Sequence, residues 1–219
     1  MSNATVDVAG ERLVLLPERA AFWSKTETLL VADPHFGKAA AFRAAGVPVP
    51  HGTTSETLAR IGIALDRTRA RRLIFLGDFL HAREGRAPET LRVINEWRAQ
   101  RASTEMILVR GNHDARAGDP PLELDVKCLD APLVEHPFVF THKPTRSELG
   151  YVLCGHVHPG VRLTGAARQS TRLPCFWFSP TTGVLPAFGE FTGVEIVDVA
   201  PDDRVWVVAG DDVISAPTR

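Results

Sequence analysis

The chain has 219 residues, 44% of them hydrophobic and 23% charged, the proportions of a globular fold with room for a core that needs no staples. A formal net charge of -1 gives no global signal for a nucleic-acid binder, and the lack of any apolar run of about 18 residues argues against a helical membrane span. The cysteines Cys128, Cys154 and Cys175 form no C-x-x-C pair and fit a reducing compartment; Met1 to Glu11 is polar, so the cytoplasm is the expected location.

In chain order, Arg12 to Leu16 and Ala20 to Trp23 read as short strands about Pro17. Thr28 to Ala32 is a buried strand, followed by a loop, Asp33 to Lys38, that holds Pro34 and Gly37. Ala39 to Ala45 reads as a short helix, stopped by Gly46-Val47-Pro48-Val49-Pro50. Thr53 to Arg69 has the apolar spacing of a longer helix, with Thr53 and Glu56 at capping-box separation. Leu73 to Leu76 is a second buried strand, and Asp78 to Arg86 a loop. Pro88 to Ala102 is a helix with proline at its start, and Met106 to Val109 a third strand. This alternation predicts parallel strands flanked by helices.

Beyond the polar loop Ala115 to Pro121 the pattern changes to short strands. They fall near Val126 to Leu129, Phe138 to Thr141, Tyr151 to Cys154, Val161 to Thr164, Cys175 to Phe178, Val194 to Val199 and Val205 to Val208. A mostly antiparallel or mixed sheet is expected there. The predicted architecture is α/β: one domain over residues 1–219, with two facing sheets and helices outside. Charge is unevenly spread. Lys38 to Arg110 holds 13 Lys/Arg against 7 Asp/Glu, which reads either as solvated helix faces or as a basic rim for a polyanion. The acidic stretch Asp198 to Asp212, interleaved with Val205, Val207 and Val208, reads as a surface hairpin.

Five of these strands run straight into ligand-type residues. Thr28 to Ala32 leads to Asp33-Pro34-His35, Leu73 to Leu76 to Gly77-Asp78, and Met106 to Val109 to Arg110-Gly111-Asn112-His113-Asp114. Phe138 to Phe140 leads to Thr141-His142, and Tyr151 to Cys154 to Gly155-His156-Val157-His158. The ends of strands are where open α/β sheets place their sites. Five of the eight histidines belong to this set. Imidazoles, carboxylates and one amide oxygen suit manganese, iron or zinc better than magnesium or calcium. There are too many ligands for one tetrahedral site and enough for two metals sharing a carboxylate. Such a pair polarises a phosphoryl group and generates hydroxide near neutral pH, which points to phosphoester hydrolysis.

The motifs Asp33-x-His35, Gly77-Asp78, Gly111-Asn112-His113-Asp114, His142 after a strand, and Gly155-His156-x-His158 resemble, in order and spacing, the signature of the calcineurin-like metallophosphoesterase superfamily. The resemblance implies an α/β/β/α sandwich with a dinuclear centre. It implies Asp33, His35 and His158 on one metal, Asn112, His142 and His156 on the other, and Asp78 bridging them. His113 would face the leaving-group oxygen, and Asp114 would orient His113. Further stretches resemble a bacterial subfamily, the DNA-ligase-associated metallophosphoesterases described as DNA damage response endonucleases. They are Ala32 to Arg43, Gly46 to Thr53, Leu80-His81-Ala82-Arg83 and Pro186 to Gly193; Pro34 departs from the bulkier apolar residue expected there. The implied activity is a manganese-dependent DNA endonuclease acting in repair, by in-line attack of a metal-bridging hydroxide. DNA is its expected substrate, and a ligase- or helicase-containing assembly its expected partner.

Other readings compete. The same site would serve a small-molecule phosphodiesterase or phosphatase, and a scaffold that had lost its ligands would only bind partners. Lys38, His81 and Arg83 are candidate substrate contacts, with Arg43 and Lys143 also close in sequence to the motifs; His81 serves equally well as a loop cap. Phe36 and Phe79 flank ligands, and core packing is favoured over stacking on a base. His51 and His136 carry no motif.

Overall fold

The computed structural model describes residues 2–50, 52–164 and 169–216, so His51 lies outside the described residues. The first sheet contains β1 (Ala4–Val8), β2 (Glu11–Leu15), β3 (Ala21–Trp23), β4 (Thr28–Ala32), β5 (Arg72–Leu76), β6 (Glu105–Val109) and β7 (Val126–Leu129), side by side in chain order. β1 to β4 pair antiparallel, and β4 to β7 pair parallel. The crossovers between parallel strands carry α1 (Lys38–Ala44), α2 (Thr53–Thr68) and α3 (Pro88–Ala99); the short α4 (Asp114–Ala117) follows β6.

Every residue of β4 is buried, because both faces of this sheet are covered. Strand alternation sorts the side chains. Leu30, Ala32, Ile74, Leu76, Ile107 and Val109 face the second sheet. Leu29, Val31, Leu73, Phe75 and Leu108 face α2 and α3, meeting Leu58, Ile61, Leu65 and Ile94.

The second sheet contains β8 (Leu133–Glu135), β9 (Phe138–Phe140), β10 (Tyr151–Cys154), β11 (Pro159–Thr164), β12 (Ser170–Phe178), β13 (Thr182–Val184), β14 (Glu195–Ile196), β15 (Arg204–Ala209) and β16 (Asp212–Ser215). Its order is β14-β11-β12-β13-β10-β9-β8, with β15 also on β12 and β16 on β15. Phe138, Phe140, Leu153, Phe176 and Phe178 pack across the interface onto Trp23 and the first sheet. Among the described residues the helical layer belongs to the first sheet. The far face of the second sheet carries a small apolar cluster of Val139, Val152, Cys154 and Val184 with Val157 and Trp177.

Register positions the site. Ala32, Leu76 and Val109 end β4, β5 and β6 level with one another. Phe140 is level with Leu153. An isolated bridge from Ala32 to Ala187 ties the first sheet to the chain just past β13. The residues that follow therefore emerge along one edge of the sandwich.

Four local expectations change. Val126–Leu129 belongs to the first sheet, parallel to β6, because a short strand's own pattern does not name its partner. The capping box does not form: Gly52 is the N-cap of α2, and Thr53 already lies inside the helix. Ala4–Val8 is a strand, burying only Val6 and Val8. The C-terminal hairpin is β15–β16, turning later than expected and burying Val205, Val207 and Val208. Among the described residues no helix is long and apolar enough to cross a membrane.

Candidate metal centre

The loops after β4, β5, β6, β9 and β10 bring the seven candidate ligands together. Asp33, His35 and His158 form one group whose ligand atoms lie within 4.8 Å of one another. Asp78, His142 and His156 form another, and Asn112 joins it through Oδ1, 2.9 Å from His142 Nε2. Nδ1 of His156 is 3.0 Å from the same His142 nitrogen. The Asp78 carboxylate stands between the groups, with Oδ2 3.8 Å from His35 Nε2 and Oδ1 3.4 Å from His142 Nε2.

The surrounding backbone is shaped for close approach. Asp33, His35, Asp78, His156 and His158 all have φ between 47° and 70°, the left-handed region that L-residues avoid. A Cβ on Gly111 would lie 2.3 Å from Asp78 Oδ1, and one on Gly155 would lie 2.4 Å from Asp33 Oδ2. Glycine is required there because a side chain would occupy the place of a carboxylate.

The donor set fits a cation. Asp33 and Asp78 are 0% and 2% exposed, and neither forms an ion pair with Lys or Arg among the described residues. Each has a backbone N–H donor, from His156 to Asp33 Oδ2 at 2.7 Å and from His113 to Asp78 Oδ1 at 2.9 Å. Among the described residues Asp33 Oδ1 has no hydrogen-bond partner. Buried, uncompensated carboxylates are costly, and a bound cation removes that cost. Burial first, and then the neighbouring Lys38 charge, pushes the pKa of His35 far below the usual imidazole value. Burial and the His142 ring lower that of His156. Both rings are neutral near pH 7 and offer lone pairs. His142 is oriented by the Leu76 carbonyl, 3.0 Å from its Nδ1.

His113 and Asp114 divide the work differently from the sequence expectation. The His113 ring is partly exposed, and its Nδ1 lies 2.6 Å from the carbonyl oxygen of His81. Its Nε2 points toward Asp78 Oδ2 at 3.9 Å. Asp114 is instead committed to backbone: Oδ2 accepts from Asp78 N and Gly111 N, both at 2.8 Å, and Oδ1 from Phe79 N at 2.9 Å. It ties two ligand loops together and makes no hydrogen bond to the His113 ring among the described residues. The carbonyl that does orient His113 belongs to backbone and leaves no trace in a side-chain motif.

The candidate substrate contacts separate. His81 stacks on His113, with ring centroids 5.0 Å apart and planes at 22°. Burial and the Lys38 charge lower its pKa to about 4. Lys38, half-buried at the start of α1, lies close enough to Asp33 and Asp78 for their charges to offset part of its burial. Arg83 turns away to the Arg116 carbonyl at 3.1 Å. Phe36 and Phe79 pack edge-to-face on each other and on Phe75 in the helix-side core.

Among solved structures, the crystal structure of Pseudomonas putida nuclease MPE matches 98% of this chain and 100% of its own, at 40% identity and a TM-score of 0.87. A protein of unknown function from Aquifex aeolicus overlaps 60% of this chain and 78% of its own, at 20% identity and TM-score 0.42. The E. coli phosphoesterase Yfce overlaps 88% and 99%, at 15% identity and TM-score 0.42. No protein-family model and no curated protein matches the chain.

Proposed function

The chain belongs to the calcineurin-like metallophosphoesterase superfamily, in its bacterial DNA-ligase-associated subfamily, and on that premise we propose that it is a manganese-dependent endonuclease of DNA repair, carried by one domain. Metal-dependent phosphoester hydrolysis is the activity of its class. The observation that carries the metal-dependent reading is the Asp78 carboxylate, standing between two groups of imidazoles and carboxylate or amide oxygens. Full-length kinship with a nuclease supports nucleic acid as the substrate.

Asp33, His35 and His158 would hold one divalent ion, Asn112, His142 and His156 a second, and Asp78 would serve both. Bound there, such ions supply charge to the phosphoryl oxygens and a nucleophile at neutral pH. The chain's own side chains do the rest. The His81 carbonyl holds a proton on His113 Nδ1 and turns Nε2 toward the centre. As imidazolium, His113 would then deliver its Nε2 proton to the departing alkoxide. Lys38 adds positive charge beside the carboxylates for a phosphate to meet.

Supercoiled plasmid incubated with the protein across manganese, iron and zinc tests the reading. Nicking is expected with manganese and should be lost in Asn112→Ala and His113→Ala. Hydrolysis confined to small esters, with plasmid intact, would sink the endonuclease assignment. Association with a ligase- or helicase-containing assembly belongs to the same reading and is checked by co-purification.

A further inference from the structure

A cavity of about 440 Å³ opens beside the centre and is not used by the chemistry above. Asn112 and His142 line it together with Ala131, Pro132, Val139, Arg110 and the loop residues Lys143 and Arg146. We infer that this cavity is a nucleoside subsite, taking the base and sugar adjoining the phosphate held at the centre; the inference rests on the nucleic-acid reading of that centre.

Three observations converge. The volume falls in the range of about 300–1,000 Å³ typical of small-ligand sites, and the lining joins the ligand-type Asn112 and His142 to the apolar Ala131, Pro132 and Val139, as a nucleoside joined to a phosphate requires. The Arg110 guanidinium is fixed in its own plane. Asp119 takes Nε and Nη2, both at 2.7 Å, and Asp130 takes Nη1 at 2.9 Å. With its edges engaged and its charge offset, what it presents to a ligand is its flat face, a stacking surface for a base. Lys143 and Arg146 are exposed and, among the described residues, make no ion pair. Their charge stays available to the next phosphate along a strand.

Ala131 is exposed, so Ala131→Trp fills the cavity without disturbing the core. The manganese-loaded protein is assayed on thymidine 3′- and 5′-p-nitrophenyl phosphate diesters and on bis(p-nitrophenyl) phosphate, which has no nucleoside. Ala131→Trp should lower the ratio of nucleosidic to simple kcat/KM at least tenfold, and Arg110→Gln should lower it in the same direction. Thymidine monophosphate binding, measured by calorimetry, should weaken tenfold or more in Ala131→Trp. Arg146→Ala should reduce the salt slope of oligonucleotide binding by about one. An unchanged kcat/KM ratio in both cavity variants overturns the subsite while leaving the phosphodiesterase reading intact. If no diester is hydrolysed with any metal, that reading fails. The subsite is then decided by thymidine monophosphate, and equal binding by the wild type and Ala131→Trp overturns it.

Discussion

Asp114→Asn separates two roles for a residue next to the reacting groups. The carboxylate is 2% exposed and meets three backbone N–H donors, two on Oδ2 and one on Oδ1. Asparagine keeps the shape but only one acceptor oxygen. If that oxygen takes the Oδ2 place, the amide NH₂ is driven against the Phe79 N–H; flipped, it faces both Asp78 N and Gly111 N. The better rotamer leaves one buried donor unmet, at about 1–3 kcal/mol, and weakens the charge-assisted bonds that remain, each worth about 1.5–3 kcal/mol. Relief from burying a charge returns part of this, since burial is the first cause raising the Asp114 pKa. The net cost is about 2–4 kcal/mol, a fall in Tm of about 5–15 °C for a chain of this size. Thermal and urea unfolding in EDTA measures it without a contribution from bound metal. A variant that melts with the wild type while kcat falls and its pH profile shifts would refute the backbone-tying role and restore the orienting one.

Asp78→Asn removes the carboxylate that stands between the two ligand groups. Plasmid nicking should fall by about a hundredfold or more while metal-free stability holds or rises, because an uncompensated buried charge is gone; wild-type metal stoichiometry in calorimetry would contradict this. Phe79→Ala opens the core against Phe36 and Phe75 and should cost about 3–5 kcal/mol in urea unfolding, whereas a base-stacking Phe79 would lose DNA affinity at unchanged stability. Burial pushes the thiol pKa of Cys128 up to about 11 and that of Cys175 up to about 12, and raises that of Cys154 as well. Thiolate is therefore a small minority below those values. At pH 8 the reactive fraction is about one in a thousand or less. Iodoacetamide should spare all the cysteines of the native protein and label them after denaturation; rapid native labelling of Cys128 would contradict the burial argument.

What was legible in the chain follows from which contacts are local. β4, β5 and β6 announced themselves because strands covered on both faces are apolar at nearly every position. α2 did so through Leu58, Ile61 and Leu65 on one face. β1 did not, since its two inward valines, Val6 and Val8, are too few to stand out among polar neighbours. The pattern of β7 reads as a strand but does not say that it joins the first sheet beside β6, because register and partner are tertiary facts. At the site, residue type and position after a strand pointed to each candidate ligand. The supporting contacts were hidden: Asp114 answers backbone N–H groups 35 and 36 positions away. The His113 and His142 rings are held by the carbonyls of His81 and Leu76. Backbone partners carry no side-chain signature.

The cost of this arrangement explains its location. Asp33, His35, Asp78, His156 and His158 stand in left-handed backbone, at roughly 1–2 kcal/mol each for an L-residue. Asp33 and Asp78 add buried charge that, among the described residues, forms no ion pair with Lys or Arg. Isolated loops would relax out of such a geometry. Here each loop springs from a strand whose neighbours end level with it, so that Ala32, Leu76 and Val109 set three origins that move only if the sheet moves. The aromatic core between the sheets, with Trp23 packed edge-to-face on Phe138 at 4.9 Å, fixes the second sheet against the first. A ligand that binds only the folded chain stabilises it by RT ln(1 + [L]/Kd), about 2.7 kcal/mol at a hundred times Kd. Strain and buried charge at the strand ends are therefore part of the same equilibrium as occupancy. The sandwich holds the ligands in place before a cation arrives, and the cation removes the electrostatic penalty of holding them there.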